Sequence, residues 1–139
     1  MMTRNRSRLG NERGAGLPFV ALILPALVAF AGLAFDGGTI FVAKREALNV
    51  ATAAARAGAA DVTEASLYSG LPQLAPTAPA TAGSFASNQG YLATVDFAGM
   101  DNNQVSVQVQ IEVDLLFFPA PVMVTGDAIA QVESFALDG

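Results

Sequence analysis

Apolar residues follow three different rules along this chain, and each rule predicts a different element. Residues 14–35 (GAGLPFVALILPALVAFAGLAF) form a 22-residue run with no charge and no polar stripe. At ~1.5 Å rise per residue such a helix covers roughly 33 Å, against about 30 Å for a bilayer's hydrocarbon core, so the run predicts a membrane anchor from Gly14 to Phe35. Pro25 is compatible with it, because a membrane helix tolerates a proline whose freed carbonyl is satisfied by neighbours. Beyond Asp36-Gly37-Gly38, a candidate hinge, residues 39–67 are rich in alanine and free of proline, which predicts a helix. Within it Ala43, Ala47, Ala51, Ala55 and Ala59 recur every four residues, with Ala54 and Gly58 beside them and the charges of Lys44, Arg45, Glu46 and Arg56 off the ladder. A ridge of small side chains permits close packing, either on the chain's own sheet or on a helix of another subunit.

The third rule is alternation. From Gln104 to Asp114 the apolar residues Val105, Val107, Val109, Ile111 and Val113 alternate with polar ones, which predicts a strand buried on one face and wet on the other. A strand over 93–98 joins it through the turn-rich Gly99-Met100-Asp101-Asn102-Asn103, and a third is expected over 124–136. Between the helical and the sheet regions, residues 69–84 carry Pro72, Pro76 and Pro79 and read as a linker, with a short helix expected over 84–92. The resulting plan is a tail (1–13), a membrane helix (14–35), an alanine-rich outer helix (36–68), the linker and a small β domain (85–139). A domain of that size is marginal alone, so the sheet needs a cover, and the alanine helix is the nearest one. The expected fold class is α+β: a long N-terminal helix packed on a small antiparallel sheet of three to four strands, as in pilins. The apolar stretch Leu115-Leu116-Phe117-Phe118-Pro119-Ala120-Pro121 either closes the core, touches the membrane or meets a partner.

Charge orients this plan. Arg4, Arg6, Arg8 and Arg13 precede the apolar run with only Glu12 against them, a pattern that keeps the N-terminus in the cytoplasm and places the C-terminal domain outside a single-pass membrane protein. After Arg56 no basic residue follows, while the acids continue, in a chain of 139 residues with formal net charge −5. Nucleic-acid binding by the outer region is thereby disfavoured. The sequence has no Cys and no His, which removes thiol and imidazole catalysis, disulfides and ordinary zinc sites. Glu112 and Asp114 share one strand face but read as solvated residues, and Asp101-Asn102-Asn103 lacks the spacing of a calcium loop. No catalytic residue, cofactor, metal or small-molecule substrate is expected. The small-residue triplet Ala29-Phe30-Ala31 offers an alternative, a cleaved signal peptide that releases a secreted or surface-attached binding module.

The order of parts over residues 12–62 also resembles the N-terminal region of the TadE/TadG-like proteins of Tad (Flp) pilus assembly. Those parts are Arg13-Gly14, an apolar helix with Pro25, the Asp36-Gly37-Gly38 boundary, the Lys44-Arg45 pair and the alanine-rich tail 51–60. The resemblance implies a bacterial envelope protein, a pilus assembly protein or minor pilin-like subunit. It implies the membrane, other assembly proteins and further copies of the chain as partners, and helix packing rather than catalysis as its mode of action. Members processed like prepilins carry a Glu five residues after the cleavage-site glycine, where this chain has Phe19. That departure points to the TadG-like, anchored branch.

Overall fold

A single helix, α1 (Gly16–Ala59), takes up both of the helical stretches expected from the sequence. It is followed in a computed structural model by α2 (Glu64–Ser69), α3 (Ala78–Asn88), β1 (Leu92–Ala98), β2 (Gln104–Val113) and β3 (Val122–Gln131). The structure describes residues 16–132 apart from 70, 72 and 100. The helix runs without a break through Gly37 and Gly38, as expected of an apolar helix that continues into an alanine-rich one, and the candidate hinge does not interrupt the backbone. Two glycines cost a helix roughly 2 kcal/mol relative to alanine, less than a run of flanking helical hydrogen bonds and packing supplies, which is why they do not interrupt it.

The three strands form one antiparallel sheet in the order β1-β2-β3. Val105, Val107 and Val109 are fully buried at its centre. They stand opposite Phe97, Val95 and Ala93 of β1 and opposite Ala130, Ala128 and Gly126 of β3. These three inward positions of β3 are small, and this lets α1 settle directly onto the strand. A β-carbon at Gly126 would lie 2.6 Å from the Ala47 carbonyl oxygen and closer still to the Ala47 carbonyl carbon and the Leu48 nitrogen. Only the absence of a side chain allows that approach. Gly58 plays the same part further along, where an added β-carbon would come within 2.9 Å of the Ala78 carbonyl oxygen.

Three details depart from the expected boundaries. The outer helix ends at Ala59 rather than near residue 67, and Asp61 turns the chain instead. Its backbone carbonyl accepts the Ala75 N–H at 2.8 Å, and its carboxylate accepts the hydroxyls of Thr77 and Thr81, each at 2.8 Å. The stretch expected to be a linker over 69–84 holds the first turns of α3, because Pro79 stands in the opening turn of the helix, where its missing N–H costs nothing. The third strand starts at Val122, earlier than residue 124, and its expected end at 133–136 lies outside the described residues. α3 buries Ala78, Ala82 and Ala86 against the same core as α1. The core is thus built of alanines from two helices laid on a valine strand.

Candidate functional site

Two surfaces carry the features that the sequence singled out, and α1 connects them. The first is its N-terminal half. Phe19, Leu22, Leu24, Leu27, Phe30 and Leu33 are all exposed there, and the helix is long and apolar enough to cross a membrane. Pro25 lies within it, and Phe35 is exposed at its C-terminal end. Gly14 and the four arginines, Arg4, Arg6, Arg8 and Arg13, lie outside the described residues.

The alanine ridge is placed differently from one of the two arrangements that the sequence left open. Ala43, Ala47, Ala51 and Ala55 are buried, and Ala59 is partly so. They face the chain's own sheet and α3, together with Val50 and Ala54. The ridge is therefore consumed inside one subunit, and a helix of another subunit has no access to it. The side of α1 left open carries Phe41 and Val42.

The second surface is where the β2–β3 connection meets α1. The hairpin extends past the end of the sheet, and residues 115–121 reach back to the helix at Gly32 and Asp36. The Asp36 carboxylate accepts two backbone N–H groups, from Leu116 to Oδ1 at 2.9 Å and from Phe117 to Oδ2 at 3.0 Å. It is 6% exposed, the sole buried charged or polar residue among those described. Beside it the Phe117 ring lies on Gly32, where a β-carbon would come within 2.6 Å of the ring. A charge-assisted pair of hydrogen bonds and a glycine seat together form a latch between loop and helix. Gly32, Asp36, Ala43, Ala47, Ala51, Ala54 and Gly58 are all buried, at spacings of three, four and seven that mark one continuous face of the helix. Sequence reasoning read Asp36 only as a boundary and left the partner of residues 115–121 open. The available signal was a lone acid beside a long charge-free run, which demands a partner.

Polar contacts outside the latch fix the sheet's rotation on the helix. The Lys44 ammonium donates to the Thr125 carbonyl, and the Tyr91 hydroxyl donates to the Glu46 carboxylate. That hydrogen bond to Glu46, with desolvation and the neighbouring negative charge acting in the same direction, holds the Tyr91 phenol above its ordinary value of 10.0. The neutral phenol is the bonded form, so the link is intact below pH about 10 and is lost as the pH rises through the raised value. The chain has two tyrosines, so in a Tyr68→Phe background the phenolate absorbance reports Tyr91 alone. Its midpoint is expected above 10.0 and should move down when Glu46→Gln is added. An unmoved midpoint would mean that the carboxylate does not hold the phenol.

On the wet face of the sheet Gln108 donates to Asp127 at 2.8 Å and Gln104 to Gln131 at 3.2 Å. Glu112 is exposed at the end of β2, and Asp114 is exposed just beyond it. Asn102 adopts a φ of 50° in the β1–β2 turn.

Fold and surfaces together define a class: an α+β chain in which one helix is both a bilayer-length apolar rod and the cover of a three-stranded sheet. Residues 14–61 match the family model described as "Putative Flp pilus-assembly TadE/G-like". The match covers about a third of the chain, coincides with α1 almost end to end, and bears out the TadE/TadG-like resemblance over that segment. No curated protein and no solved structure matches the chain.

Proposed function

We propose that the protein is a membrane-anchored subunit of a Tad (Flp) pilus assembly system, either an assembly protein or a minor pilin-like component. The carrying observation is that the family match falls on the one helix among the described residues that is long and apolar enough to span a bilayer. In this reading Gly14 to Phe35, with Pro25 inside it, is the anchor. Arg4, Arg6, Arg8 and Arg13 hold the N-terminus in the cytoplasm, and the domain on the second half of α1 stands outside. The protein acts by packing, not by catalysis. Ala43, Ala47, Ala51, Ala55 and Ala59 fasten the domain to the helix within a subunit, so contact with assembly partners falls to the exposed side of α1 at Phe41 and Val42 and to the anchor itself.

The test is the intact mass and N-terminal sequence of the native protein from the membrane fraction, followed by crosslinking to Tad components. A chain that starts near Met1 or Met2, resists alkaline extraction and crosslinks to assembly proteins supports the proposal. A chain that starts after Ala31 and appears in the medium overturns it in favour of a secreted module. A start at Ala15 would keep the pilus assignment but replace the anchored branch with prepilin-type processing.

A further inference from the structure

The loop latched by Asp36 carries a feature that the anchor alone does not require. Residues 115–121 are seven consecutive apolar residues, yet they do not fill the core: Leu116 is 73%, Phe117 54% and Phe118 65% exposed. Three large side chains left this exposed in a hairpin connection are costly in water, at roughly 25 cal/mol per Å² of apolar surface left wet. The position of the loop says what covers them. Phe117 rests on Gly32, which lies four residues, roughly 6 Å of helix rise, to the anchor side of Asp36. The aromatic tip is therefore at the depth of the charge-free run itself.

We infer that residues 115–121 are a second membrane-contacting element, inserted into the outer leaflet beside the anchor and held there by Asp36. This rests on the reading of α1 as a membrane anchor. Three further observations fit the insertion. From residue 14 to residue 43 the sole charged side chain is Asp36, and the first basic pair on the outer side is Lys44-Arg45. The described helix from 16 to 43 rises roughly 42 Å, close to the ~40–45 Å of a bilayer with its headgroup regions, so the outer boundary of the headgroup layer lies near Lys44, and the exposed Glu112 and Asp114, which stand between the levels of Lys44 and Asp36, fall in that polar layer and not in hydrocarbon. Phe41 and Val42, 68% and 63% exposed, extend the apolar surface to that boundary.

The second observation concerns Asp36, which would be a bare charge at this depth. Both its oxygens are occupied by loop N–H groups. The same two bonds satisfy backbone donors that lipid could not satisfy, so the latch removes one carboxylate and two amides from the apolar phase together. The third is the loop's chemistry. Pro119 and Pro121 have no N–H to leave unpaired, and the loop contains no charge or polar side chain to desolvate. A loop designed to meet a protein partner has no need of so complete a suppression of polar groups. A lipid phase does.

The natural chain contains no tryptophan, so single substitutions give unambiguous depth probes. The full-length protein would be reconstituted in phosphatidylcholine vesicles, with or without bromine atoms near the middle of the acyl chains, as Phe118→Trp, Phe30→Trp and Tyr68→Trp. Tyr68 is 85% exposed on α2, beyond the far end of α1. The expected result is blue-shifted emission and loss of intensity in brominated lipid for the probes at 118 and 30, and neither effect at 68. Quenching at 30 without quenching at 118 overturns the insertion and leaves the anchor standing. Absence of quenching at 30 removes the anchor and the insertion with it. Blue-shifted but unquenched emission at 118 means that protein, such as a second copy of the chain, covers the loop, and also overturns the proposal. Should Phe118→Trp fail to fold by circular dichroism, Leu116→Trp places the same probe two residues away.

Discussion

Replacing Gly126 with alanine is expected to separate the sheet from the helix. The added β-carbon would fall on the Ala47 carbonyl group and the Leu48 nitrogen, and these are backbone atoms of a continuous helix that cannot rotate aside as a side chain could. Relief requires β3 or α1 to move as a whole, which opens the neighbouring contacts of Ala43, Ala51 and Val109 as well. Overpacking of a tight core costs about 1–3 kcal/mol and occasionally more. A clash with backbone belongs at the upper end, about 3 kcal/mol, a large share of what a domain this small can have. Urea unfolding of the full chain in detergent, followed by circular dichroism and by protection of the β2 amides, should show a lower midpoint. Gly37→Ala and Gly38→Ala provide the contrast. Nothing lies within 4 Å of a β-carbon at either position, and both sit inside α1, so each should raise helix stability by about 0.5–1 kcal/mol. An unchanged midpoint for Gly126→Ala would show that the helix and strand are not held as closely as the structure places them.

The second large effect is expected at Asp36. Alanine there strands the N–H groups of Leu116 and Phe117, and hydrogen bonds to a charged acceptor contribute about 1.5–3 kcal/mol each. The loss should be about 3 kcal/mol or more, concentrated at the latch. Asparagine is the sharper variant. It preserves shape but presents one acceptor oxygen and one NH₂ group to two donors, so one amide meets another donor. Hydrogen exchange at Leu116 and Phe117 should accelerate strongly in both variants, while exchange in the middle of β2 changes little. If those two amides exchange as slowly in Asp36→Ala as in the natural chain, the carboxylate is not what holds the loop.

The parts of the fold that could be read from the sequence are those whose signal is local. The alternation through Val105, Val107 and Val109 gives β2 within a residue of its observed bounds, because a strand half buried must repeat every two positions. The apolar run and the alanine ladder both mark α1, and Ala43, Ala47, Ala51 and Ala55 of the ladder lie on its buried side. What was hidden depends on distant partners. α1 stops at Ala59 because Asp61 is taken by Ala75, Thr77 and Thr81, a competition that helix propensity over 60–67 does not reveal. α3 was obscured by proline count, although two of the three prolines precede the helix and Pro79 stands where a helix accepts one. The latch joins residues 80 and 81 positions apart, and no local pattern encodes such a bond. β3 offered one overlooked clue. Gly126, Ala128 and Ala130 place small residues at every second position, the complement of an alanine ridge, and they favour the chain's own sheet over a foreign helix as the partner of Ala47 and Ala51.

The unbroken course of α1 through Gly37 and Gly38 has a mechanical consequence. Forty-four residues of one helix make a rod of roughly 66 Å, gripped along its C-terminal half by the sheet and again at Asp36 by the hairpin tip. With no swivel between the two halves, a twist applied to the domain becomes the same twist of the apolar segment. Axial load likewise passes straight down the rod instead of straightening a joint. A neighbour that engages one end thereby sets the azimuth and height of the other, so in the proposed assembly subunits would be indexed through their rods and not through flexible tethers.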